Sequence, residues 1–199
     1  MTRAMLAAGL FLCASLAGAQ ALPLGKPLPG MERAEPPEVK LRNPDFETPT
    51  RPGALCPTGW ECIMHAASDS FRFFLDESHP AAGARSGCFE SVGRQPWGKM
   101  VQGHPAGTSV RGKRVRLSAL LRLKDVTGVG AGPILMAHGG SGNELANRFA
   151  PIAGGTGWQS VSAELDVPKD TYILELGFSL QGKGQVCVDE VRFEVLPSI

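Results

Sequence analysis

Residues 114–123 read RVRLSALLRL, and this stretch decides the fold. Val115, Leu117, Ala119, Leu121 and Leu123 take every second position, with Arg114, Arg116, Ser118 and Arg122 between them. Side chains of an extended chain alternate between two faces, so the pattern predicts a half-buried strand with a basic stripe on its other side. The same period runs through Tyr172, Leu174, Leu176, Phe178 and Leu180, with Thr171, Glu175, Gly177 and Ser179 opposite. Val161, Ala163, Leu165 and Val167 predict a third strand, and Val191, Phe193 and Val195 a fourth. Shorter candidates are 71–75, 88–92, 99–102 and 133–137. The stretch 143–149 is the one plausible helical piece, short enough to be a turn within a loop. With 25 Gly and 16 Pro punctuating the apolar segments, no helical period is sustained, and the segments read as strands joined by turns. Strands with one apolar face each must bury it against a second sheet. The expected fold is all-β, a two-sheet antiparallel jelly-roll sandwich spanning 39–197.

Upstream of the domain, Arg3 precedes an apolar run from Met5 to Leu16 and the small residues Ala17, Gly18 and Ala19. This has the form of a secretory signal peptide over 1–19, with cleavage after Ala19 or, alternatively, Ala21. The run is too short to span a bilayer, so no membrane span is expected. Leu10, Phe11 and Leu12 precede Cys13 where a lipid-anchor signal would carry small residues. Residues 20–38 are rich in Pro and Gly without apolar periodicity and read as a tether. A secreted or periplasmic location follows. The formal net charge of +1 gives no bulk attraction to nucleic acid, so no nucleic-acid partner is expected.

Cys56, Cys62, Cys88 and Cys187 remain after cleavage, an even number in an exported chain, which points to disulfides. Four cysteines allow three connectivities; loop proximity favours Cys56 with Cys62 and Cys88 with Cys187. A zinc site is the competing reading, but the spacings are not those of a zinc knuckle.

Taken in order, NPDFETPT from Asn43, the Gly59–Trp60 pair, GARSGCFES, GKRVRLS, TGWQSVSAELDVP and GQVCVDEVRFE resemble the galactose-binding-like jelly-roll modules. Within that group the chain is similar to carbohydrate-binding modules of secreted glycoside hydrolases. It is also similar to uncharacterised bacterial proteins that share the GKRVRLS and GQVxxDEVRFE segments. The resemblance covers roughly 43–196 and implies structural positions for Trp60 and Trp158. It also implies a structural calcium ion near where the first and last strands meet, for which the matching carboxylates are Glu47 and Asp189; both could instead accept backbone N–H groups at strand ends. No other cofactor is implied, and none is required.

Sugar-binding surfaces stack pyranose faces on exposed aromatic rings. The single tyrosine, Tyr172, falls on an apolar strand face, leaving Trp97, in the polar segment RQPWGK, and Phe149 as candidates. Trp97 is the expected ligand-binding ring, with Arg114 and Arg116 supplying directional hydrogen bonds. The bland reading of the arginines is a solvated face with cross-strand acidic partners. The segment HGGSG at 138–142 lacks the further glycine and the strand–turn–helix context of an esterase loop and reads as a turn. His65, His79 and His104 lie in unpatterned segments. Nothing places two of Asp76, Glu77, Glu90 and Glu164 across one cleft, so no glycosidase pair is expected and the chain is not read as an enzyme. Two functions follow: a non-catalytic module whose ligand is an oligosaccharide or polysaccharide, or a structural or protein-interaction domain of the bacterial envelope with no sugar ligand.

Overall fold

Wherever the sequence alternates, the chain is extended. The computed structural model describes residues 38–197; the expected signal peptide, Cys13 and almost all of the expected tether lie outside them. Eight strands follow in order: β1 (Glu61–Met64), β2 (Phe71–Asp76), β3 (Ser86–Ser91), β4 (Trp97–Pro105), β5 (Arg114–His138), β6 (Glu144–Phe149), β7 (Trp158–Asp166) and β8 (Ile173–Val195). Every pairing between them is antiparallel. The described residues contain no α-helix. The one helical candidate, 143–149, is strand β6, because its backbone pairs with the end of β5 from Ile134 to His138. Residues 138–142 form the turn of that hairpin, closed by the Gly139 N–H donating to the Asn143 carbonyl at 2.8 Å and by Gly142 at φ 81°.

Strands β5 and β8 are far longer than the alternating segments that announced them. Each runs through both layers of the sandwich. The first half of β5 pairs with β7 and with the second half of β8, which pairs with β3 and through it β2. This gives a first sheet in the order β7-β5-β8-β3-β2. The second half of β5 pairs with β6 and with the first half of β8, which pairs with β4 and through it β1, giving a second sheet in the order β6-β5-β8-β4-β1. Pairing shifts register between Lys124 and Thr127 and again between Gly128 and Gly130, where the ribbon turns from one sheet to the other. Gly128 and Gly182 face each other there at φ 90° and 134°. A Cβ on Gly128 would stand 2.9 Å from the Gly182 Cα, so the crossing needs glycine on both strands.

The predicted faces hold in the core. Val115, Leu117, Leu121 and Leu123 of β5 and Leu174, Leu176, Phe178 and Leu180 of β8 are 0–1% exposed. Tyr172 is a correction: it is 53% exposed, because β8 begins one residue later and Thr171, fully buried, takes the inward place. The Thr171 hydroxyl is held there by donating to the Pro168 carbonyl at 2.7 Å.

The segment from Asn43 to Phe46 closes one end of the sandwich. Phe46 stacks on Trp60 with centroids 5.2 Å apart, and Trp60 tilts against Phe178 at 6.2 Å. The Trp60 Nε1–H donates to the Asn43 carbonyl at 3.0 Å, satisfying the polar tip of a ring that is otherwise buried. The Phe46 ring lies on β3 at Gly87, where a Cβ would stand 2.7 Å from its Cζ. Both disulfides form as loop proximity favoured, Cys56–Cys62 and Cys88–Cys187. The cysteines therefore hold no zinc, and the grouping of Asp76 with Cys88 and Cys187 offers no thiolate to a metal.

A second tether of the N-terminal segment is pH-sensitive. The buried Gln102 accepts the Arg42 N–H at 3.0 Å and donates to the Arg42 carbonyl at 2.6 Å, and His104 Nε2 lies 3.2 Å from Gln102 Oε1. Burial, and then the Arg42 charge, hold the His104 pKa below its ordinary value of 6.5. A depressed histidine contributes stability that is present above its unfolded pKa and lost as pH falls toward the folded one. The melting temperature is therefore expected to decline as pH falls below the ordinary histidine value of 6.5. His104→Gln is expected to flatten that part of the profile, and an unchanged slope in the variant would exclude His104 as its source.

Candidate functional site

Two outer faces are available to ligands, and alternation assigns residues to each. On β4 the inward positions are Gly98, Met100 and Gln102, so Trp97, Lys99 and Val101 face outward from the second sheet. On β8 the outward set is Glu175, Gly177, Ser179 and Gln181, and on β5 it is Gly132, Ile134 and Met136. Phe149 of β6 pairs with Ile134 and points the same way. The two aromatics singled out by sequence thus share one face, on strands either side of its centre.

Glycines show how closely this face is packed. An outward Cβ on Gly177 would stand 2.6 Å from the Val101 Cα on the neighbouring strand, and one on Gly132 would stand 2.8 Å from the Ala150 carbonyl carbon. At both points neighbouring backbone closes in on the outer side. Val101 and Ser179 lie on the floor of this face and are only 1% and 2% exposed.

A half-buried ion pair crosses this floor. Lys99 pairs in register with Ser179, and Glu175 with Gly103, so the Val101–Gly177 row separates them. The Lys99 Nζ nevertheless reaches Glu175 Oε1 at 2.5 Å, with both side chains about 15% exposed. Lys99 also lies 6.0 Å from the Trp97 ring centroid, and His65 meets that ring edge-on at 5.7 Å. His65 is oriented by Gln95, whose Oε1 lies 2.8 Å from its Nδ1. The face offers an aromatic ring, an ammonium donor and a carboxylate acceptor side by side, the combination that hydroxyl-rich ligands require.

Arg114 and Arg116 are elsewhere. They lie on the outer face of the first sheet, on the far side of the sandwich from Trp97, so the three residues cannot form one site. Both arginines are partnered: Glu164 binds Arg114 Nε at 3.0 Å and Arg116 Nη2 at 2.6 Å, and Glu194 lies 3.8 Å from Arg116. The hydrogen bond from Arg116, aided by the charges of both arginines, keeps the Glu164 pKa below the ordinary carboxylate value against the opposing effect of desolvation. The solvated, acid-partnered stripe describes them.

Glu47 and Asp189 bind the two halves of one loop. Asp189 Oδ2 accepts the N–H groups of Ala81 and Ala82 at 2.9 and 3.1 Å, and Oδ1 accepts that of Glu190 at 2.8 Å. Glu47 Oε1 accepts the N–H groups of Ala84 and Arg85 at 2.8 and 3.0 Å. A calcium ion needs a shell of oxygens, whereas here backbone donors point at the carboxylates. The arrangement does not fit calcium; the two acids fasten the loop. Burial raises the Asp189 pKa, although the N–H groups of Ala82, Glu190 and Ala81 work against that rise.

Trp158 is also a correction. It is not in the core but half-buried on the outer face of the first sheet, paired with Arg122, whose guanidinium carbon lies 5.3 Å from its ring centroid. Its odd spacing from the inward Val161, Ala163 and Leu165 carried that signal.

Two long strands threading both layers, with five strands on each side, place the chain among known architectures. The fold is the galactose-binding-like jelly roll. A xylan-binding family 22 carbohydrate-binding module of Paenibacillus barcinonensis Xyn10C superposes on this jelly roll with a TM-score of 0.56 at 13% identity, covering 78% of the chain and 93% of the module. The enzymatically active domain of tailspike protein 4 from bacteriophage CBA120 matches with a TM-score of 0.53 at 16% identity, over 70% of this chain and 20% of that one. By sequence, the jelly roll is 31% identical over 133 residues to an uncharacterized HTH-type transcriptional regulator, YbfP, of Bacillus subtilis (strain 168). That match covers 62% of the chain and 43% of the regulator, so the chain spans less than half of that relative. No family model matches.

Proposed function

We propose that this is an exported, non-catalytic carbohydrate-binding module, and that an oligosaccharide or polysaccharide lies on the outer face of the second sheet against Trp97. The observation that carries the reading is the half-buried Lys99–Glu175 pair beside that ring. A pyranose presents axial C–H groups to an aromatic face and hydroxyls around its rim. Trp97 serves the former, and the ammonium and carboxylate serve the latter. Several carbohydrate-binding modules share the fold, among them one of family 61 solved with β-1,4-galactotriose, at a TM-score of 0.50. Two disulfides in a short chain support export, because such bridges persist in oxidising compartments.

Affinity electrophoresis or calorimetry across a panel of soluble polysaccharides tests the reading. Trp97→Ala is expected to weaken binding at least about tenfold, equivalent to about 1.4 kcal/mol, while the half-exposed position leaves the melting temperature nearly unchanged. Glu175→Gln, which removes the acceptor charge, is expected to weaken the same ligands. Failure of every polysaccharide to bind would favour the envelope protein-interaction domain instead.

A further inference from the structure

The geometry points to a second binding site, on the outer face of the first sheet, that takes a carboxylate-bearing saccharide such as a uronate. It is independent of the Trp97 face and lies on the opposite side of the sandwich. Its centre is one row of residues running in register across all five strands: Phe74 of β2, Cys88 of β3, Cys187 of β8, Arg122 of β5 and Trp158 of β7. The Cys88–Cys187 disulfide belongs to the outward side of the sheet, yet its cysteines are 0% and 1% exposed, because the side chains around it close over it. Above this row opens a cleft of about 550 Å³, lined by Arg72, Phe74, Asp76, Arg122, Lys124 and Gln185 among others. That size falls within the roughly 300–1,000 Å³ range of small-ligand sites.

Each end of the row carries a guanidinium laid against an aromatic ring. Arg72 lies 4.9 Å from the Phe74 centroid and Arg122 lies 5.3 Å from that of Trp158. Each is also gripped on one edge by a carboxylate, Arg72 by Glu90 at 2.7 Å and Arg122 by Asp76 at 2.5 Å. Stacking plus an ion pair fixes the plane of a guanidinium and so lowers the entropy lost when its remaining N–H groups bind a second anion. Asp76 is largely engaged already. Its Oδ1 accepts the Ser78 N–H at 2.9 Å and hydroxyl at 2.5 Å, and Oδ2 accepts Arg122. Although burial alone would raise the Asp76 pKa, the Ser78 and Arg122 hydrogen bonds hold it below the ordinary value, so the acid stays charged and committed.

Lys124 decides the sign of the ligand. It is exposed on the cleft wall and makes no ion pair among the described residues. The lining then sets Arg72, Arg122 and Lys124 against Asp76 alone, and even counting Glu90 a positive charge remains. An anionic group is the natural complement, and a carboxylate matches the planar N–H edges of the stacked arginines. Gln185, whose Nε2 donates one N–H to Cys187 Sγ at 3.3 Å, keeps its second N–H and its carbonyl oxygen for neighbouring hydroxyls.

Trigalacturonate, its fully methyl-esterified form and sodium acetate are the probes, titrated into the ¹⁵N-labelled protein. Trigalacturonate is expected to shift the Arg122 Nε–Hε and Trp158 indole signals with a dissociation constant at least tenfold lower than that of the ester. Lys124→Glu is expected to weaken it at least tenfold, Lys124→Gln by less, and Trp97→Ala not at all. Equal shifts by acetate at equal carboxylate concentration would show an adventitious anion only and overturn the proposal. So would equal binding of acid and ester, insensitivity to both Lys124 variants, or shifts confined to Trp97. The last outcome would leave the Trp97 reading standing, just as a neutral polysaccharide lost with Trp97→Ala would leave the cleft untouched.

Discussion

Cys88→Ala combined with Cys187→Ala is expected to lower the unfolding free energy by about 4 to 5 kcal/mol, read from urea titrations of the oxidised parent and the variant. The bridge joins residues 99 apart in sequence, and closing a loop of that length in the unfolded chain is worth about 4.7 kcal/mol in the chain-entropy description. The Cys56–Cys62 bridge, with a separation of 6, is worth only about 2 kcal/mol by the same relation. Removing it should therefore cost less than half as much. The order of the two losses is the sharper check. A larger loss from the short loop would mean that native-state effects at the two bridges, rather than loop closure in the unfolded chain, set the order. Marginal domain stabilities of about 5 to 15 kcal/mol make the first loss large enough to unfold much of the protein at physiological temperature.

Phe178→Ala is expected to cost about 3 to 5 kcal/mol through lost burial and the cavity left behind. The ring is fully buried, sits between the sheets and touches Trp60, which in turn carries Phe46. Its loss removes the support of the aromatic stack that closes the sandwich, so neighbouring side chains have little freedom to collapse into the space. Thermal and urea unfolding of the variant provide the measurement, with Val195→Ala on an exposed position of the same strand as the reference. A loss below about 1.5 kcal/mol would place Phe178 at the edge of the core rather than at its centre.

Much of this was legible from parity alone. The set Val115 to Leu123 and the set Leu174 to Leu180 gave the two longest strands and their buried faces. What parity could not supply was continuity: TGVG at 127–130 and QGKG at 181–184 look like turns, because glycine with positive φ is what a turn needs. The same chemistry serves a ribbon bending from one sheet to another while still paired. The Trp97 face was half legible. Trp97 and Phe149 could be chosen as aromatics outside the apolar patterns, but the Lys99–Glu175 pair depends on strand register between residues 76 apart, which no local pattern encodes. Trp158 shows the opposite failure. Strict counting from Val161 places it outward with Ser160 and Ser162, whereas family resemblance suggested a structural place. Arg122 lies on the same face of β5 as Arg114 and Arg116 and differs from them in its partners, Asp76 and Cys187 against Glu164 and Glu194.

The crossing of β5 and β8 between layers also governs how this protein can be made. Residues 173–195 supply a central strand to both sheets, pairing with β3, β4 and β5. Without them the first sheet separates into β7-β5 and β3-β2, and the second into β6-β5 and β4-β1. Two-stranded ribbons of this kind are marginal in water. The two sheets therefore close only once residues 173–195 are in place, and folding dominated by pairings so far apart in sequence is set to be slow.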